Sequence, residues 1–368
     1  MIQFCDLHAQ YKRIEAEIDS AVKRVIDGGH FINGPEVMEL EERLAAFCGR
    51  KYAVACANGT EALKIPLMAM GIGSGDAVFV SSFTFFASAE VIGNVGATPI
   101  FIDVDARTYD MDPVCLEKCI QEVKKEGKLV PRGIIAVDIF GQLADYEAIE
   151  AIAEKYGLWL MEDGAQSFGA LHHGRRSCSF GQISTTSFFP AKPLGCYGDG
   201  GMIFTDDEEL AKICRSITVH GKGKDKYDNV RLGLNSRLDT IQAAILLEKF
   251  KIFPDELELR NQVALRYTEL LSDSDLVLPY VDTDCRSAWA QYTLQSPRRA
   301  EIMARLKVTG VPSAIYYPTP IHKATAFANL PLISLPVSET LCANIFAIPM
   351  HPYLDVETQR HIAAVLRS

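Results

Sequence analysis

Residues 133–163, GIIAVDIFGQLADYEAIEAIAEKYGLWLMED, decide the fold class. Gly133–Phe140 is a short apolar run of strand type, Tyr146–Lys155 reads as a helix, and Leu158–Met161 reads as a strand ending in Glu162-Asp163. Strand, ten-residue helix and strand make a βαβ unit, which implies a parallel sheet covered on both faces. The same alternation extends toward the N-terminus. Tyr52–Ala57 is an apolar run, Asn58-Gly59-Thr60 a turn and Glu61–Met70 a helix. Ala77–Val80, a helix over Ala87–Val95 and the strand-like Pro99–Val104 follow. Ahead of them stand two amphipathic helices. One covers 8–27, with Ile14, Ile18, Val22 and Val25 on one face and a stop at Gly28-Gly29; the other covers 36–48, through Val37, Leu40, Leu44 and Phe47.

Beyond residue 180 the spacing tightens. Thr185–Phe189 and Gly201–Thr205 are joined by a loop too short for a crossover helix, so that pair is expected to be antiparallel. Helices are expected over Glu208–Ile217 and Leu238–Lys251. The remainder resembles a smaller α+β unit, with Pro254 and the polar stretch Ser272–Asp275 as boundary signals. The expectation is a large α/β domain over residues 1–251, with a mostly parallel sheet and helices on both faces. A small C-terminal α+β domain would occupy 252–368, and the N-terminal helix could pack on it.

Composition narrows the function. The 368 residues are 48% hydrophobic and 23% charged, as in a globular protein with ample core. With 37 basic and 47 acidic side chains the net charge is −10, which excludes a general nucleic-acid binder and leaves room for a local phosphate site. Ten dispersed cysteines without a CxxC pair point to reduced thiols. The first residues lack the apolar stretch of a signal peptide, and no run of 18 apolar residues occurs, so a cytoplasmic protein without a membrane span is expected.

Several motifs have plain readings. Gly71-Ile-Gly73-Ser-Gly75 follows a helix and precedes a strand, the reverse of a dinucleotide fingerprint, and reads as a helix stop and turn. Cys115 and Cys119 lie one helical turn apart without a second ligand pair, and His172-His173 reads as an exposed turn, so no metal site is expected. Neither GxSxG nor HExxH occurs. Asn58-Gly59-Thr60-Glu61 opens a helix at a strand end. Its free amides and the Thr60 hydroxyl suit a phosphate, although Thr60 as a plain N-cap explains the same residues.

The stronger signal spans 160–201. A strand delivers Asp163 to its carboxyl end, and Lys192 follows 29 residues later in Ser187-Phe-Phe-Pro-Ala-Lys192-Pro-Leu-Gly195. Enclosure among aromatic, proline and glycine residues would lower the lysine's pKa and make its amine a nucleophile. A carboxylate and a lysine on opposite sides of one ligand suit pyridoxal phosphate (PLP). The lysine would take the aldehyde carbon as a Schiff base, and the carboxylate would keep the pyridine nitrogen protonated. An aromatic of Ser82-Phe83-Thr84-Phe85-Phe86 could stack on the ring. A structural aspartate and a lysine with a buried stem remain the alternative.

The blocks Phe31-Ile-Asn-Gly-Pro35-Glu36, Ala57-Asn-Gly-Thr60, Glu162-Asp-Gly-Ala-Gln166-Ser, Ser187-Phe-Phe-Pro-Ala-Lys192, Gly198-Asp-Gly-Gly201, Asn235-Ser-Arg237-Leu-Asp and Tyr316-Tyr317-Pro span almost the whole chain. Together they resemble the DegT/DnrJ/EryC1/StrS family of sugar aminotransferases, PLP enzymes of fold-type I. The family usually has Asp-Ala-Ala or Asp-Cys-Ala where this chain has Asp163-Gly164-Ala165. The resemblance implies Lys192 as the Schiff-base lysine, Asp163 as the pyridinium partner, Gln166 beside the ring hydroxyl and Phe85 as the stacking aromatic. It also implies a phosphate cup of Gly59, Thr60 and Ser187, with Asn235 arriving from the second subunit of a homodimer.

The stretch 188–201 looks most like enzymes that aminate C3 of a UDP-linked 3-keto-N-acetylglucosaminuronic acid, with glutamate as donor. Such enzymes serve cell-surface polysaccharide (O-antigen, lipopolysaccharide) synthesis. A C4 aminotransferase, a PLP-dependent sugar dehydratase, a non-catalytic regulator and a Rossmann dehydrogenase are the rival readings. Dehydratase members carry His at the lysine position, and Lys192 argues for transamination. Arg237 is a candidate for the sugar carboxylate through its bidentate fork, against a structural ion pair. Tyr317 and His322 are candidate substrate contacts, against plain packing.

Overall fold

The computed structural model describes residues 2–225 and 227–368. Helices α1 (Leu7–Arg13), α2 (Glu15–Gly28) and α3 (Pro35–Cys48) open the chain. The single helix expected over 8–27 is broken at Ile14, whose φ of −133° lies outside the helical region. Then β1 (Tyr52–Cys56), α4 (Gly59–Ala69), β2 (Asp76–Ser81), α5 (Ala87–Asn94), β3 (Thr98–Ile102), α6 (Pro113–Glu126), β4 (Val130–Val137), α7 (Tyr146–Tyr156) and β5 (Trp159–Asp163) alternate as anticipated. Helix α6 is an addition, since only its Cys115–Cys119 spacing hinted at it. Asp112 caps it, Pro113 occupies its first turn, and Gly127 at φ 65° closes it.

Next come the two-residue strands β6 (Leu171–His172) and β7 (Arg175–Arg176), then β8 (Ile183–Ser187), β9 (Gly201–Thr205), α8 (Glu208–Thr218) and α9 (Thr240–Leu271). The chain ends with β10 (Cys285–Arg286), β11 (Tyr292–Gln295), α10 (Arg299–Val308), α11 (Pro336–Asn344), β12 (Ile345–Ile348) and α12 (Val356–Arg367). Helix α9 corrects the expected end at Lys251, because it runs through Pro254 across position 252. Proline inside a helix costs about 3 kcal/mol. Here Phe253 and Leu257, on either side of it, are both buried and help offset that cost.

Seven strands form one sheet in the order β1-β9-β8-β5-β4-β2-β3. The pairs β2–β3, β2–β4, β4–β5 and β5–β8 are parallel, while β9 runs antiparallel to both its neighbours. Residue alternation divides the core between the faces. Ile134, Ala136 and Leu160 pack with Leu44, Leu116 and Ile149 under α3, α6 and α7. Ile135, Val137 and Met161 pack with Leu63, Ile92 and Cys214 under α4, α5 and α8. A third cluster joins Tyr267 and Leu271 of α9 to β11, β12 and α12 through Tyr292, Phe346 and Ile362. Among the described residues, no helix is long and apolar enough to cross a membrane.

Candidate active site

The parallel strands end along one edge of the sheet, where open α/β sheets hold ligands. Asp163 is the last residue of β5 and alternates onto the face covered by α5, while Glu162 points to the opposite face. There Glu162 is fully buried and accepts the amides of Cys178 and Phe180. Asp163 accepts a hydrogen bond from the Ser88 hydroxyl at 2.8 Å and one from the Ala165 amide at 3.3 Å. Thr84 Oγ1, just ahead of α5, lies 3.2 Å from Ser88 Oγ, so a short relay runs from it through Ser88 into the carboxylate. Burial pushes the Asp163 carboxyl up, and Ser88, the Lys192 charge and the Ala165 amide oppose that shift.

Lys192 lies in the loop between β8 and β9, where its amide donates to Phe189 O at 2.8 Å. Burial lowers its pKa, and the nearby Asp163 carboxylate partly counteracts this. Among the described residues no ion pair joins the two groups. They sense each other's charge without touching.

The strand-end geometry brings Gly59 against Ser187. Ser187 pairs with Gly201, and Gly201 pairs with Cys56 of β1, three residues before Gly59. A Cβ on Gly59 would stand 2.6 Å from Ser187 Cβ, and one on Gly201 would stand 2.4 Å from Asn58 O. Asn58, not Thr60, caps α4, since its side chain accepts the Glu61 amide at 2.9 Å. Thr60 therefore lies inside the first turn, where helical amides lack intrahelical acceptors.

Gln166 accepts the Phe140 amide at 3.0 Å and donates to the Tyr317 hydroxyl at 3.2 Å. The Tyr317 ring lies 6.2 Å from that of Phe85, which is 55% exposed. Burial and the Asp163 charge raise the Tyr317 pKa, against the Gln166 hydrogen bond. Phe85, Gln166 and Tyr317 thus form one group beside Asp163.

Other candidates are not brought into this group. The His322 ring is buried, 2.7 Å from Ser82 Oγ and 3.4 Å from Glu339, so its nitrogens are taken up in packing rather than offered to a substrate. Asn235 is exposed, and its neighbour Ser236 accepts the Ala57 amide at 3.2 Å, which moors the segment beside β1. Among the described residues Arg237 has no ion-pair partner, so the structural-pair alternative lacks its second member. A cavity of about 380 Å³ lined by Asp105, Arg107, Asp110, Gln142, His172 and Tyr280 lies apart from Asp163 and Lys192.

Gly164 is explained by its surroundings. A Cβ there would stand 2.9 Å from both Cys178 Sγ and Ser177 Oγ. With Thr185 O a further 3.1 Å contact, these neighbours leave little room for the alanine or cysteine usual at that position. Ser88 was not singled out by the sequence, although a second hydroxyl, Thr84, stands four residues before it within the aromatic cluster 83–86.

A family model described as the DegT/DnrJ/EryC1/StrS aminotransferase family matches residues 12–367. The chain belongs to this family. It is 47% identical over 366 residues, covering 100% of this chain and 99% of the relative, to a UDP-2-acetamido-2-deoxy-3-oxo-D-glucuronate aminotransferase of Pseudomonas aeruginosa. A Geobacillus stearothermophilus relative, 42% identical and matching 98% of this chain and 96% of its own, is named a pleiotropic regulatory protein. The crystal structure of a family aminotransferase from Brucella abortus superposes with a TM-score of 0.98 at 50% identity, over 100% of this chain and 99% of that one. The PLP form of a putative sugar aminotransferase from Streptococcus pneumoniae superposes with a TM-score of 0.89 at 26% identity, over 96% and 95% of the two chains.

Proposed function

We propose that this aminotransferase uses PLP to move an amino group from L-glutamate to C3 of UDP-2-acetamido-2-deoxy-3-oxo-D-glucuronate, in the cytoplasm, for cell-surface polysaccharide synthesis. The observation that carries the reading is the buried Asp163 facing the electrostatic reach of Lys192 without pairing to it. The residues fit the cofactor. Glycine at 59 keeps the space beside Ser187 clear, and the first turn of α4 offers Gly59 and Thr60 amides to a phosphate. Phe85 presents an open aromatic face. When bound, PLP supplies a conjugated ring that accepts the electron pair of the carbon losing its proton.

The chain's own residues supply the rest. Asp163, held by Ser88, places negative charge where a protonated ring nitrogen needs it. Lys192, with its pKa lowered by burial, can take a proton at Nζ and return it, the dual role a transfer between two carbons requires. Gln166 offers the end of a held amide beside Asp163. Arg237 offers a guanidinium fork to the sugar carboxylate, and Tyr317 a hydroxyl to the substrate. The substrate reading is supported by the 47% identity with the Pseudomonas aeruginosa relative.

The same reading makes the protein a homodimer in which Asn235 and Arg237 serve the partner's site. Phe31 and Ile32 are 47% and 45% exposed. They lie beside this segment, since Ile32 bridges to Asp239 and Phe31 O accepts the Thr240 amide. Exposed apolar side chains next to an open site fit a closed two-fold contact. Residues 1–251 would form the cofactor-binding unit and 252–368 the smaller one, with α9 shared between them.

The test uses purified protein. With PLP it should turn yellow, bleach on adding L-glutamate with release of 2-oxoglutarate, and yield a 3-amino sugar from the UDP-linked ketone. A colourless protein would overturn the enzyme reading, and nitrogen at C4 would overturn the substrate reading.

A further inference from the structure

A second lysine, with no part in the reaction just described, lies against the loop that carries Lys192. Lys249 is on α9 at 0% exposure, one of the largest fully buried side chains in the protein. Its Nζ donates to Gly195 O at 2.7 Å and stands 4.1 Å from the centre of the Tyr197 ring. Among the described residues no carboxylate pairs with it within 4.0 Å. An unpaired buried ammonium is costly, so a site that keeps one without an acidic partner calls for a use beyond stability.

The loop explains the use. Gly195 sits three residues after Lys192, in a turn so tight that a Cβ there would come within 2.4 Å of Pro190 O. The Cys196 amide donates to Phe188 O at 2.8 Å, and the Tyr197 amide to the Gln242 side chain at 2.8 Å. These bonds fix the two ends of the turn. Gly195 O lies between them, and Lys249 reaches it from the core.

We propose that Lys249 is a positioning residue: its Nζ tethers the Gly195 carbonyl and so holds the Phe189–Tyr197 turn that presents the Lys192 amine to Asp163. The environment matches a tether rather than a reactive base. Glu256, Cys196 and Cys5 are the charged or titratable groups that act on it, and burial draws its pKa down to about 8. An amine donates to a carbonyl in either protonation state. The proposal rests on Lys192 being the reacting amine, and on nothing about the identity of the sugar.

Lys249→Met keeps the apolar stem as far as the ε position and removes the donor. Hydrogen exchange on the cofactor-free protein reads the tether without any reaction. Loop amides at Lys192, Cys196 and Tyr197 should exchange at least tenfold faster, with β8, β9 and α9 unchanged. In the loaded enzyme kcat should fall at least tenfold, with KM for both substrates within twofold of wild type. Loop exchange and kcat both within twofold of wild type would overturn the proposal. So would a uniform acceleration across the sheet and α9, which marks a stability role, or faster loop exchange without loss of kcat. If Lys249→Met does not fold, Lys249→Gln takes its place. Its amide falls one bond short of Gly195 O, so the same loop-confined acceleration is expected, and wild-type exchange would overturn the tether. Failure of the aminotransferase reading itself would be visible separately, as an inactive wild type.

Discussion

Replacing Ser88 with alanine should weaken the hold on Asp163 without touching any group that meets a substrate. The Ser88 hydroxyl is 1% exposed and donates to Asp163 Oδ2 at 2.8 Å. A hydrogen bond to a charged acceptor contributes roughly 1.5–3 kcal/mol. With a factor of ten for each 1.36 kcal/mol, its loss should raise the proton affinity of Asp163 roughly 10- to 150-fold. The direction follows from burial, which already pushes this carboxyl up and would then meet less opposition. Carbon-13 NMR of aspartate-labelled, cofactor-free protein reads the titration of Asp163 directly. In the loaded enzyme the same change should weaken PLP binding, because a carboxyl that is more readily protonated balances a protonated ring nitrogen less well. Ser88→Thr keeps the hydroxyl and should stay near wild type. An Asp163 titration unmoved in Ser88→Ala would refute the reasoning, since it would mean that the hydroxyl does not favour the carboxylate form.

Lys192→Ala should fold and still bind PLP through non-covalent contacts, while turnover falls by at least roughly 100-fold, the lower end of what a positioned acid–base group contributes; substantial residual activity would show that another lysine reacts. Lys192→Ala and Arg237→Ala subunits, each inactive alone, should regain activity in roughly a quarter of all sites after random exchange if Arg237 serves the partner's site. No recovery despite verified exchange would place Arg237 within its own chain's site. Burial holds the His351 imidazole at about 4, against an ordinary value of 6.5. A depressed histidine stabilises the fold above its unfolded value and loses that contribution as the pH falls from 6.5 toward 4, a span of about 3 kcal/mol. Urea unfolding at pH 7.5 and 4.5 should therefore show wild type losing more stability than His351→Gln, and equal losses would contradict this.

What the sequence disclosed and what it hid divide along one line. Local alternation and helix stops encode themselves, so the βαβ units and the antiparallel return of β9 could be read directly. Asp163 and Lys192 could be read because each sits in a chemically unusual stretch. Partners set by tertiary placement could not. Ser88 gains its meaning only when α5 lies over the end of β5, and Lys249 is a lysine in an apolar helix until α9 packs under the Lys192 loop. His322 misled through proximity, because five residues after Tyr317 the chain turns its ring toward Ser82 and Glu339. Thr60 misled by two positions, since Asn58 had already taken the cap. Pro254 misled because burial on both sides of a proline can carry a helix through it.

The electrostatics of Asp163 and Lys192 bear on what the site would bind. Burial raises Asp163 and lowers Lys192, so both are drawn toward their neutral forms, and only their mutual attraction and the Ser88 and Ala165 hydrogen bonds resist. A carboxylate and an ammonium in contact would cancel and leave neither available. These two are kept apart, each desolvated and each incompletely compensated. A ligand that brings a protonated nitrogen to one and an electrophilic carbon to the other supplies what both lack. Such a ligand would favour the anionic form of the Asp163 carboxyl, and burial favours the free-base form of the Lys192 amine that a nucleophile needs. The separation that denies Asp163 and Lys192 an ion pair is the property that would let each serve a different atom of the same ligand.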